Sequence, residues 1–496
     1  MDGALSQTVR VPFPVKRAET PDTWKSDGWA AIDRAKNEKV RRGPAKNVIL
    51  FVGDGMGIST VTAARIFEGQ LRGESGEENR LSFENFPNSA FSKTYSANQQ
   101  TSDSAPTMSA IVTGVKTNEG LLSVSQRTTR GDHTSVAGNE TTTLLELAED
   151  SGRSTGVVTT TRVTHATPAA CYAHTADRDW ESDADVKRRK PAAYDAGFPD
   201  IARQLIDFKR GDGIEVVFGG GRSKFMSSMS RDPEYPDKMG ERLDGRNLID
   251  EWINKYKGSK YVWDKKGFDS IDAASATHVI GLFEPSHLKF EHDRPNDPGG
   301  EPSLTEMTNK AIDILKKNKK GFFLMVEGGR IDHAHHNGNA YRALSETVEF
   351  SNAIRSAAAR VNLDDTLIIV TADHSHTLTI GGYPVRGNNI LGLVRETDDN
   401  GLLEPEYRRD LNGFVRTTLS YANGRGARKE RLDLKKVDTT DPEFLQDAMI
   451  PLADETHAGE DVPIFATGAG SYLVKGSMEE NWIFYVMADA MRLGRR

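Results

Sequence analysis

The sequence predicts an α/β protein with a mostly parallel central sheet sandwiched by helices. Short apolar runs recur along the chain and close on glycine or acidic residues, as buried parallel strands do. Amphipathic helical stretches lie between them, and that alternation argues for a sheet covered on both faces. No internal repeat or long low-complexity tract interrupts it.

Residues 1–45 are polar, carry one expected helix at 25–40, and read as an arm before the core. The first strand is 46–53, KNVILFVG. Further strands are expected at 154–160, 215–221, 277–283, 321–329, 365–373 and 462–468. Helices are expected at 141–152, which closes on a glycine, and at about 341–361. Another starts at Ser303, with Glu306 three residues on as a capping box. Residues 46–496 form one domain with two insertions, at about 222–276 and 377–455, where glycines and charges displace the apolar runs.

Composition narrows the function classes. The chain has 496 residues, 37% hydrophobic and 27% charged, which fits a globular protein. A net charge of −8 argues against nucleic acid as the main partner. No apolar run approaches the roughly 18 residues a membrane helix needs. The first residues, MDGALSQTVRVPFPV, lack the basic start and apolar stretch of a signal peptide. Cys171 is the only cysteine, so no intramolecular disulfide can form.

In open α/β sheets, ligands bind beyond the carboxyl ends of the strands. Those ends carry Asp54 in Gly-Asp-Gly-Met-Gly, Glu327, and Asp373-His374-Ser375-His376. Asp332, His333, His335 and His336 follow Glu327, and Glu455-Thr456-His457 precedes the last predicted strand. Taken singly, a Gly-Asp-Gly can be a tight turn and an Asp-His pair a helix cap. Together the carboxylates and imidazoles suit Zn²⁺, and the carboxylate-only part suits Mg²⁺. Asp332 and His336 share a face if their segment is helical, which leaves His333 and His335 pointing to the periphery or to solvent. Ser104, in TSDSAPTMSAIVTG, heads a stretch of helix-compatible residues closed by Gly114. There it is either a helix cap or a nucleophile placed where amides and helix dipole favour an anion.

These motifs resemble the alkaline phosphatase family. NVILFVGDGMG, DSAPTMSAIVTGVKTNEG, GVVTTTRVTHATPAACYAHTADRDW, VFGGGRSKF, GLFEP, FFLMVEGGRIDHAHH, VTADHSHTLTIGGYP and ETHAGEDV occur in the family's order, over about 46–491. The likeness is closer to the animal-type branch, and the lack of disulfides fits a bacterial member. The resemblance implies hydrolysis of phosphate monoesters through a phosphoserine at Ser104, with Arg178 clamping the phosphate. It implies one Zn²⁺ on Asp54, Asp373 and His374, a second on Asp332, His336 and His457, and Mg²⁺ on Glu327, Thr167 and Asp54. His165 would reach Mg²⁺ through water, and His333 would tune phosphate affinity. A structural Ca²⁺ would take Glu234, the Phe283 carbonyl, Glu284 and Glu301. A homodimer, a crown-like role for 377–455, and a periplasmic or secreted location are implied in the same way.

The alternatives have distinct signatures. A sulfatase needs Arg where Met108 stands. A phosphodiesterase of the superfamily uses a Thr nucleophile and lacks the third-metal residues. A phosphotransferase would pass the phosphoryl group to an alcohol. An inactive metal-binding protein would lack the nucleophile and clamp.

Overall fold

The computed structural model describes residues 13–15 and 19–494. The expected arm therefore lies partly outside the described residues, at 1–12 and 16–18. Its helix spans Pro21–Lys36, starting and ending four residues earlier than expected. Thr20 caps it with Thr23, and Pro21 takes the first turn, where its missing N–H costs nothing. None of its residues is buried, and Trp24 and Trp29 are 55% and 70% exposed.

Ten strands form the central sheet: β1 (Asn47–Val52), β2 (Asn88–Lys93), β3 (Ser154–Arg162), β4 (Val216–Gly220), β5 (Lys260–Val262), β6 (Val279–Leu282), β7 (Phe322–Glu327), β8 (Thr366–Thr371), β9 (Val462–Gly468) and β10 (Gly476–Glu479). Their spatial order is β10-β2-β9-β8-β1-β7-β3-β4-β6-β5. β9 pairs antiparallel with both β8 and β2; every other neighbouring pair in the sheet is parallel. The three strands the sequence reading did not anticipate are β2, β5 and β10. All three lie in the outer part of the sheet, where a half-exposed strand lacks a continuous apolar run.

The apolar runs are continuous because both faces are covered. Val48, Leu50 and Val52 point into one core with the Trp482–Met491 helix. Ile49 and Phe51 point into the other, against the helices Ile58–Leu71, Leu304–Leu315 and Ala340–Arg360. Ser303 and Glu306 form the expected capping box. Residues 222–276 contribute β5 to the sheet itself. Residues 377–455 carry a separate sheet of Leu378–Ile380, Leu419–Gly424 and Ala448–Pro451.

Candidate metal centre

The carboxyl ends of β1, β7 and β8 lie side by side, and they deliver Asp54, Glu327 and Asp373 to one place. The turn after β1 is tight. Gly55 has φ +68, and a Cβ there would lie 2.4 Å from the His376 ring. Only glycine takes both that conformation and that approach without strain. The Gly55 amide donates to Asp373 Oδ1 at 3.1 Å and so fixes that carboxylate. His457 arrives because β9 is reversed: the residues before it, His457–Ala458, pair with Ser375–His376 at the same edge of the sheet.

Ser104 opens the helix Ser104–Thr113, which ends at Gly114 in the left-handed region. The capping position belongs to Asp103, yet the Asp103 side chain makes no cap bond. It receives both of its short bonds from Arg178 Nη1, each 2.5 Å. The buried Ser104 hydroxyl lies 3.2 Å from His374 Nε2 and 3.5 Å from Asp54 Oδ1. His374 Nε2 is also 3.3 Å from both Asp54 Oδ1 and Asp373 Oδ2. In a Ser-His-Asp triad the acid would hold Nδ1, on the other side of the ring. Here hydroxyl and carboxylates crowd the same nitrogen, and Nδ1 has no hydrogen-bond partner. Such convergence of lone pairs fits a cation.

A second cluster adjoins it. Asp332 and His336 do share a helical face, in Arg330–His336, with 3.2 Å between Oδ1 and Nε2. His457 Nε2 lies 3.4 Å from the same oxygen and 3.1 Å from His336 Nε2. His376, absent from the expected ligands, joins them at 2.8 Å from Asp332 Oδ1. His335 is not solvated. It is fully buried, with Thr60 on Nε2 and Tyr421 on Nδ1, because its side of the helix faces the core. A third group holds Asp54, Glu327 and His165. Thr167 Oγ1 is 3.4 Å from Asp54 Oδ2, and Thr159 and Thr161 donate to Glu327 Oε2.

The electrostatics agree. Burial, then repulsion from Asp373, Asp332 and Glu327, pushes Asp54 well above the usual carboxylate range. Burial is the leading cause at Asp373, raised to about 6, and at Glu327, raised to about 7. Burial would also raise Asp332, but His336, His376 and His457 hold it well below. Asp373 Oδ2 and Glu327 Oε1 are buried with no hydrogen-bond partner. Buried carboxylates that repel one another and keep orphaned oxygens fit divalent cations, which would relieve both defects. Burial, then Arg178 and Arg162, lowers His165 to about 3, so its ring stays neutral. Arg178 Nη2 reaches His165 Nε2 at 2.9 Å. His333 packs beside His165, with ring centroids 5.5 Å apart.

A family model described as alkaline phosphatase matches residues 45–493. The chain belongs to the alkaline phosphatase family. An alkaline phosphatase of Gadus morhua is 44% identical over 493 residues, covering 97% of this chain and 99% of that protein. The tissue-nonspecific alkaline phosphatase of Homo sapiens is 44% identical over 489 residues, 97% of this chain and 90% of that one. Among solved structures, the Thermus thermophilus alkaline phosphatase superposes with a TM-score of 0.65 at 23% identity, over 93% of this chain and 94% of its own. The alkaline phosphatase of the Antarctic bacterium TAB5 gives 0.60 at 23%, over 92% and 100%. These structures share the alkaline phosphatase fold, and the close relatives make the chain a phosphoric monoester hydrolase.

Several neighbours of the site were not read from the sequence. Asp103 was legible only as a cap, and Glu455 only as an acidic residue near His457. Thr159 and Thr161 belong to a TTT run whose alternate side chains face the site. In the distal acidic cluster, Glu234 and Glu284 meet as expected, but their third carboxylate is Asp297. Glu301 stands beside them: Oε1 accepts the Lys289 amide at 2.8 Å, and Oε2 is buried without a partner. Phe283 is buried and its amide bonds Gly219 O at 2.9 Å.

Proposed function

We propose that this phosphatase works through a phosphoserine on Ser104, at a site holding two Zn²⁺ and one Mg²⁺. The observation that carries the reading is the shared approach of Ser104 Oγ, Asp54 Oδ1 and Asp373 Oδ2 to His374 Nε2. Asp54, Asp373 and His374 would hold one zinc, and Asp332, His336 and His457 the other. Glu327, Thr167 and Asp54 would hold magnesium, with His165 through water. When bound, these ions would lower the pKa of the Ser104 hydroxyl and of water and would neutralise phosphoryl charge.

Ser104 attacks phosphorus, forming an Oγ–P bond as the ester P–O bond breaks and the alcohol leaves with a proton. Water then attacks the phosphoserine, releasing phosphate and restoring the hydroxyl. The helix N-terminus behind Ser104 presents amides to the phosphoryl oxygens. Arg178 can grip two of those oxygens with its planar fork, which a lysine cannot match. Asp103 and His165 hold that fork at the site. None of the site residues named reads the alcohol, so broad monoester specificity follows. Hydrolysis of an aryl phosphate monoester by purified protein with two zinc and one magnesium per chain tests the reading; hydrolysis of diesters in preference to monoesters would overturn it.

Glu234, Glu284, Asp297 and Glu301 offer only oxygens, which is what Ca²⁺ takes, with the Phe283 carbonyl as a further donor. The exposed face of Pro21–Lys36, with Trp24 and Trp29, suits contact with a second copy, and we read the enzyme as a homodimer. No helix among the described residues is long and apolar enough to cross a membrane. A periplasmic or secreted location rests on the family resemblance.

A further inference from the structure

We propose that the cavity walled by residues 93–100, Gly459 and Asp461 receives the alcohol half of the substrate and favours polyhydroxylated alcohols, as in sugar monophosphates. The inference rests on the phosphoserine reading above and adds the substrate class that reading leaves open.

The cavity has a volume of about 610 Å³, which suits a small molecule. It shares two chain segments with the site. Gln100 stands four residues before Ser104, so their Cα atoms are at most about 14 Å apart. Gly459 stands two residues after His457, at most about 7 Å from it. The two segments touch. His457 Nδ1 meets the Ser102 carbonyl at 2.8 Å, and a Cβ on Gly459 would lie 2.9 Å from Thr101 Oγ1. An ester held at Ser104 therefore has this cavity beside it, and contacts made there by the alcohol can add to kcat/KM.

The lining is rich in acceptors. Thr94 Oγ1 and Gln99 Oε1 are buried with no hydrogen-bond partner. Asp461 is exposed, and its carboxylate has no hydrogen-bond or ion-pair partner among the described residues. Acceptors of this kind need donors, and a hydroxyl both donates and accepts. Charge disfavours the rivals. The lysine of the lining, Lys93, is held 2.6 Å from Glu479, so a second anionic group on the substrate would find that ammonium engaged and Asp461 repelling it. Lys116 Nζ stands 3.2 Å from the centre of the Tyr95 ring, so an ammonium on the substrate would meet a like charge there. An apolar alcohol would leave the acceptors unpaired. A neutral alcohol bearing several hydroxyls fits best.

The test is kcat/KM of the zinc- and magnesium-loaded enzyme on glucose 6-phosphate and on cyclohexylmethyl phosphate, which keeps the ring size and lacks the hydroxyls. Wild type, Gln99→Leu and Asp461→Ala are compared. Ethanolamine phosphate against ethyl phosphate probes an ammonium in the same way. Wild type should prefer glucose 6-phosphate by about tenfold or more. A fall of about 3–10-fold in that ratio in either variant, the worth of one hydrogen bond, supports the subsite. The alcohols are the same in every variant, so the change cannot come from their acidity. Asp461 lies at the surface, so Asp461→Ala carries the test even if Gln99→Leu misfolds. A wild-type ratio near one, or a ratio that every folded variant leaves within about twofold, would overturn the proposal alone. A larger advantage for ethanolamine phosphate over ethyl phosphate would overturn it in favour of a cationic alcohol. A wild type that hydrolysed no monoester at all would overturn the functional reading and this proposal together.

Discussion

Two carboxylate clusters in this molecule look alike in sequence and differ in what balances their charge. At the strand ends, Asp54, Glu327 and Asp373 have no lysine or arginine in ion-pair contact among the described residues; Arg178 pairs with Asp103 instead. In the distal cluster the protein supplies cations: Lys289 lies 2.7 Å from Glu284, and Arg222 2.9 Å from Glu234. Tyr235 bridges Glu284 and Asp297 with its hydroxyl. The first cluster mixes imidazole with carboxylate, the second offers oxygen alone. The distal cluster is compensated in part, at Glu234 and Glu284, while Asp297 Oδ2 and Glu301 Oε2 stay buried without a partner, so it depends less on an ion and would gain stability from one. A cluster left uncompensated beside the Ser104 hydroxyl fits the ions that the proposed mechanism calls for.

The largest effect expected from breaking this contrast is at Ser104. Ser104→Ala should lower monoester turnover by roughly 10⁴-fold or more, while metal analysis still finds zinc. Arg178→Ala comes next, losing about 10²–10³-fold in kcat/KM together with inhibition by inorganic phosphate; unchanged phosphate inhibition would remove the clamp role. The distal cluster should behave oppositely. Calcium should raise the melting temperature of wild type, and Asp297→Asn should abolish that rise while zinc-dependent turnover stays within about twofold. A calcium response that survives Asp297→Asn but disappears in a variant of Asp54 would merge the two clusters into one.

A third buried carboxyl pair marks the low end of the scale. Glu149 and Glu215 share Thr155, whose hydroxyl donates to Glu149 at 2.5 Å and whose amide donates to Glu215 at 2.7 Å. Burial, followed by the charge of Glu215, raises Glu149 to about 9, and burial raises Glu215 to about 7, from a usual 4.5. Each binds its proton more tightly folded than unfolded. Their stabilisation is complete below about pH 4.5 and is lost as pH climbs through 7 and 9. Glu149→Gln should therefore gain in melting temperature over wild type as pH rises from 5 to 9, by on the order of a few degrees. A constant difference across that range would show that Glu149 titrates normally.

Much of this was legible in advance. Seven strands were readable because burial on both faces leaves a continuous apolar run, as in Val48–Val52 of β1 and Leu367–Val370 of β8. The edge strands β5 and β10 were not, because one row of side chains meets solvent and the other is short. The site residues were legible as strand-end acids and imidazoles, since ligand chemistry restricts donors to a few residue types. Their neighbours escaped for the opposite reason. Asp103, Glu455, Thr159 and Asp297 are ordinary caps, turns and strand residues until distant segments fold against them.

The sequence by itself determined the alternating architecture, the donor types and the candidate nucleophile, because periodicity and chemical identity are local properties. Only the tertiary structure decided which donors meet at one point and which stand behind them. His376 is the clearest instance, sitting two residues from His374 yet turned so that Asp332 and Glu455 take both its nitrogens. The reversal of β9, which brings His457 to the carboxyl edge, was equally invisible. Strand direction and side-chain pairing depend on contacts between residues tens to hundreds of positions apart, and no local pattern encodes them.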